Sequence, residues 1–249
     1  MAEAAATGLE QLPAHQRLAG RTEAAVLALA SPVAAMLVVM IACILLAGVI
    51  ARYIFGQPLN WADELASVLF LWLVMFGSVI ALGRNEHMRL MLVLGMVGGG
   101  TRALLEAFST LVITLLLCLL IAPAFEYAIG EWIITTPALE MPDGLRVLGI
   151  GVGLAFMLAL CGARLLRVAT LGQLAGAAGV LAVLVAALVL GKPLIIAMGK
   201  YNLLLFFVVL VAGGVLLGVP IGFAFGAATV AYITMATRVP LEVVVGRDR

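Results

Sequence analysis

The chain has 249 residues, of which 65% are hydrophobic and only 11% charged, and its formal net charge is +1. Soluble domains carry about 45–50% apolar and about 25% charged residues, so this composition cannot cover a water-facing surface. It excludes a soluble enzyme or binding module, and no nucleic-acid partner is expected.

Residues 1–23 are polar and Ala-rich, with Pro13 and Gly20, and read as a flexible cytoplasmic tail. The apolar run 24–50 exceeds the roughly 7–15 residues of a signal-peptide core. It fits a membrane-spanning helix, which needs about 20 residues at ~1.5 Å rise. Further runs at 65–82, 104–122, 145–166, 174–190 and 203–235 complete the prediction: an all-α polytopic membrane bundle of about six spans. The last run is long and holds Gly218-Val219-Pro220. Proline removes one helical hydrogen bond and crowds the preceding turn. One kinked helix is expected there, with a broken helix or a re-entrant pair as the alternative.

Orientation follows from the basic residues flanking each span. With the N-terminus inside, ten arginines (17, 21, 84, 89, 102, 164, 167, 238, 247 and 249) face the cytoplasm, against four cations (Arg52, Arg146, Lys192 and Lys200) outside. Both termini are therefore expected in the cytoplasm. The loop between spans three and four adds Glu126, Glu131, Glu140 and Asp143, an acidic outer surface.

Three polar clusters stand at the mouths of these spans. Asn60-Trp61-Ala62-Asp63 has the form of a helix start, with Asn60 as a cap and Asp63 and Glu64 near the positive helix end. The same residues suit contact with a partner helix. Arg52 lies at the same boundary, and an Arg52–Glu64 or Arg52–Asp63 pair is expected, because a charge beside hydrocarbon is costly unless paired or snorkelled. Glu86-His87-Met88-Arg89 lies on the other side. Here His87 is expected to cap a short interfacial helix over 88–97. Arg102 and Glu106 stand four apart on one helix face and can pair.

Metal and cofactor chemistry finds little footing. The two histidines, His15 and His87, do not make an axial haem pair. Cys43, Cys118 and Cys161 form no C-x-x-C pair and read as small hydrophobes. No P-loop string is present. Gly214, Gly218, Gly222 and Gly226 recur every four residues and would form one slanting stripe for close helix packing. Gly149 and Gly153 are a shorter version in span four.

The ordered set Arg52-Tyr53-Ile54-Phe55, Pro58, Trp61, Glu64-Leu65, Trp72, Gly77, Glu86-His87, Thr136-Pro137-Ala138-Leu139 and Pro142 resembles the DctQ-type small membrane subunit of tripartite ATP-independent periplasmic (TRAP) transporters. The resemblance covers about residues 30–168. It departs after His87: Met88-Arg89-Leu90 is followed by Met91 where relatives often carry an acid. The resemblance implies a four-helix small-permease domain over 24–168. It also implies a linker span over 169–201. The start of a large-subunit-like (DctM-like) region would occupy 202–249, making the chain the truncated N-terminal part of a fused permease. The implied activity is uptake of an organic acid across the bacterial inner membrane, driven by an ion gradient, usually Na⁺. This chain would bind no cofactor itself. It would not be an enzyme. The implied partners are the large permease subunit, a periplasmic substrate-binding protein and membrane lipid. Arg52, Trp61, Asp63, Glu64, Trp72 and His87 are the candidate interface residues. The other readings are a membrane anchor of an oxidoreductase complex, which the histidine count disfavours, and a stand-alone carrier, for which few intramembrane ionisable residues are available.

Overall fold

The computed structural model describes residues 14–84, 99–168 and 171–236. Five helices are long and apolar enough to cross a membrane. These are α1 (Ala14–Tyr53), α2 (Asn60–Arg84), α3 (Gly99–Gly130), α4 (Gly144–Val168) and α5 (Leu171–Leu190). A short α6 (Lys192–Ala197) follows. Two shorter apolar helices come last, α7 (Asn202–Leu216) and α8 (Ile221–Ala236). There is no strand among the described residues, only an isolated bridge between Thr135 and Pro142. Helix α1 begins earlier than the expected tail boundary. Residues 14–23 are mostly good helix formers, with Gly20 alone against them, so the helix runs into its polar flank.

The described residues fall into two compact units. One consists of Gly20–Arg84 and Leu117–Leu160, and the rest make the other. In the first, α1 and α2 run antiparallel. A side chain at Gly83 would strike Leu27, and one at Gly48 would touch Ala62 at 3.6 Å. Helices α2 and α4 run parallel, with Trp72 against Gly149, Met75 against Gly153, and the Phe76 and Phe156 rings 5.9 Å apart. At Gly149 an added Cβ would meet three atoms of the Trp72 ring at 3.2 Å. The Gly149/Gly153 pair thus serves packing inside the chain. Without a hydrophobic drive between helices in lipid, such close van der Waals contact holds spans together.

In the second unit, the stretch 203–235 is not one kinked helix. It is a helix–turn–helix hairpin, the alternative reading. Gly218 adopts φ +89°, a left-handed conformation that glycine takes at no steric cost. Val219 N–H donates to Gly214 C=O at 2.9 Å and Gly218 N–H to Val215 C=O at 3.0 Å. This paired pattern is a Schellman ending with glycine at the first position past the helix. Pro220 then precedes α8, where its missing N–H costs nothing. The legs fold back on each other: Phe206 and Tyr232 have ring centroids 5.7 Å apart, and Phe207 lies 6.4 Å from Phe225. A π-helical stretch at Leu205–Leu210 lies within α7. The buried Ser109 hydroxyl donates to Gly218 C=O at 2.9 Å, supplying a donor to a turn carbonyl that neither helix satisfies. Ala107, Phe108, Ala177, Val211, Val219, Ala224 and Ala228 form the apolar core around this turn.

The break also divides the glycine ladder. Gly214 lies on α7 beside Ala224 and Gly218 forms the turn. Gly222 and Gly226 lie on α8, where a Cβ on Gly226 would come within 2.9 Å of Leu116. The four do not make one stripe on one helix.

Candidate functional site: the head of helix α2 and the α3–α4 loop

Glu64 sits in the first turns of α2, half-buried. Its Oε1 accepts the Ala138 N–H at 2.9 Å and its Oε2 accepts the Leu139 N–H at 3.0 Å. One carboxylate therefore grips two successive amides of a loop 74 residues further along. The charge-assisted form of these bonds is stronger than a neutral pair. The loop has its own frame. Thr136 N–H donates to Met141 C=O at 2.9 Å, and Asp143 N–H to Ile134 C=O at 2.7 Å. Glu140 N–H donates to Thr136 C=O at 3.0 Å, and Glu140 takes φ +52°. A non-glycine residue there stores strain on the order of 1 kcal/mol, which the surrounding bonds hold in place.

The loop leads straight into α4. Asp143 C=O accepts the Arg146 and Val147 amides, and the Asp143 carboxylate bridges to Arg146 Nη2 at 2.7 Å. Arg146 Nε is shut off from solvent with no acceptor. Gly144, the first residue of α4, lies so close to α3 that a Cβ would come within 2.6 Å of Ala128 C=O. Trp72 Nε1 donates to Leu145 C=O at 3.0 Å, tying the middle of α2 to the same end of α4. Asp63, Glu64, Ser67, Thr136, Asp143 and Arg146, together with the apolar Val68, Ile134 and Pro137, line a recess of about 460 Å³.

The structure gathers some expected site residues and separates others. Glu64 and Trp72 both fasten α2 to the α3–α4 region. No ion pair joins Arg52 to Asp63 or Glu64. Glu64 is committed to the loop, and Arg52 and Asp63 instead share the walls of a second recess of about 310 Å³. Neither Asn60 nor Asp63 makes a side-chain hydrogen bond capping α2. Trp61 is exposed, as are Tyr53 at the end of α1 and Phe55 on the turn after it. The expected Arg102–Glu106 pair is present at 3.3 Å. His87 and the expected helix over 88–97 lie outside the described residues. The 136–139 loop was named only through its family likeness. Glu64's acceptance of its amides has no sequence signal, because a carboxylate's partners 74 positions away leave no local spacing.

Parallel and antiparallel spans, joined by a clamped polar loop and with no soluble domain among the described residues, define a polytopic helical membrane protein. The sequence model of the family "tripartite ATP-independent periplasmic transporters, DctQ component" matches residues 40–171. The chain belongs to that family and is a small membrane component of a TRAP transporter. No curated protein matches the chain. Family membership leaves the oxidoreductase-anchor reading without support.

Proposed function

We propose that this chain is the small permease component of a TRAP system that takes up an organic acid from the periplasm, driven by an ion gradient that the whole complex uses. A soluble binding protein delivers the acid and the large subunit moves it. This chain performs no catalysis and holds no cofactor. It scaffolds the large subunit in the bacterial inner membrane and offers the head of α2, with its clamped loop, as a docking face. Residues beyond the matched segment serve as a linker span and the start of a large-subunit-like region.

The observation that carries this reading is the two-point hold of Glu64 on Ala138 and Leu139. A surface fixed in advance loses less entropy when a partner docks, and so binds better for the same contacts. The flanking Trp61, Tyr53 and Phe55 are exposed rings of the kind enriched at interfaces and at membrane–water boundaries. The N-terminus is taken as cytoplasmic. Leaving aside the residues after 236, seven arginines still oppose four outer cations. On that orientation the 134–143 loop faces the periplasm.

The test is co-purification of the tagged chain with a TRAP large component co-expressed in the same membranes. Trp61→Ala is expected to lower complex yield severalfold while leaving the level of this chain unchanged. Unchanged complex yield removes Trp61 from the interface.

A further inference from the structure

We infer that the α7–α8 hairpin re-enters the membrane instead of crossing it, so that α8 ends at Ala236 on the side where α5 ends, opposite the N-terminus. The argument rests on direction and length. Gly176 of α5 lies against Leu104, and Ala177 packs in the same core as Phe108. Later residues of α5 thus meet later residues of α3, and the two run parallel. Gly218 at the hairpin turn is bonded to Ser109, and Gly226 lies against Leu116. The eight-residue step from the turn at Gly218 to Gly226 on α8 matches a seven-residue step on α3, so α8 also runs parallel to α3. Helices α5 and α8 therefore point the same way, and α7 is the antiparallel return between them.

The length of α7 agrees with a dip. At ~1.5 Å per residue the 15-residue α7 reaches about 22 Å, short of the roughly 30 Å hydrocarbon core. The turn lies at the level of Ser109, about 10 Å along α3 from the exposed cation Arg102. The hairpin thus penetrates deeply without reaching the far surface. Irregular backbone at such depth is tolerated only where it is buried in protein and its polar groups are satisfied. The turn itself meets that condition: Val219 is buried, the Schellman bonds take the Gly214 and Val215 carbonyls, and Ser109 takes Gly218 C=O. The inference stands whether or not the chain docks a binding protein. It reverses the expected cytoplasmic C-terminus.

The experiment is labelling with a membrane-impermeant maleimide in right-side-out and inverted vesicles. The full chain is used, with Cys43, Cys118 and Cys161 replaced by serine or alanine and single cysteines placed as Thr22→Cys, Lys200→Cys and Arg249→Cys. Lys200→Cys and Arg249→Cys are expected to label from the same side, and Thr22→Cys from the other. Labelling of Arg249→Cys from the side of Thr22→Cys overturns the inference. Reporter fusions on the otherwise native chain, joined after Lys200 and after Arg249, give a second readout if the cysteine set fails to assemble. Each site is fused in turn to an enzyme active only in the periplasm and to a cytoplasm-only fluorophore, and the two sites are compared reporter by reporter. Opposite reporter signals at the two sites contradict the inference, and like signals support it.

Discussion

Replacing Glu64 by alanine is expected to release the 134–143 loop while leaving the helices in place. Amide exchange at Ala138 and Leu139 should rise by about tenfold, equal to about 1.4 kcal/mol of lost local stability. A hydrogen bond to a charged group contributes about 1.5–3 kcal/mol. Ala138 is exposed and water can replace its partner, so the smaller figure decides. Glu64→Gln is the sharper probe. Its side chain has one acceptor oxygen and an amino group that donates, so it can keep one of the two bonds and must turn a donor toward the other amide. Its exchange rates should fall between those of wild type and Glu64→Ala. Exchange in Glu64→Ala equal to wild type would mean that the loop's own bonds suffice and the clamp is idle.

Trp72→Ala is expected to have the largest effect on the stability of the α2–α4 pair. The half-buried indole fills the space that Gly149 leaves and stacks near Phe76 at a centroid distance of 6.2 Å. Full loss of a buried Trp costs 3–5 kcal/mol, so about 2 kcal/mol is expected for one half-buried, or a fall of roughly 4–8 °C in thermal unfolding in mild detergent. Trp72→Phe separates the two causes. It removes the Nε1 bond to Leu145 C=O and keeps most of the ring, and hydrogen bonds between membrane helices average only about 0.6 kcal/mol. A loss in Trp72→Phe as large as in Trp72→Ala would show that the bond, and not the packing, holds the helices.

How far the sequence could be read depended on the range of each interaction. Spans α1 to α5 were legible because length and hydropathy are local, and the Arg102–Glu106 pair because four residues make one helical turn. The Gly218-Val219-Pro220 turn was locally written too. It was weighed first as a proline kink, whereas a glycine past a helix end followed by proline at the next helix start is a stop-and-restart signal. The cost of a mid-helix proline drew attention away from the glycine two positions earlier. The expected Arg52 pair failed for a different reason. Glu64 had a better offer, two backbone amides at once, from a loop that sequence spacing cannot bring near it. Trp72 read as a family residue, but its placement over Gly149 depends on which helix lies beside α2, and that only the fold supplies.

The most direct test of the platform reading uses vesicles holding this chain alone, a TRAP large component alone, or both, with a binding protein outside and an inward Na⁺ gradient. The solute is a labelled organic acid that the intact cells accumulate through a binding protein. Accumulation is predicted only where both membrane components are present. Accumulation by vesicles that hold nothing but this chain would contradict it.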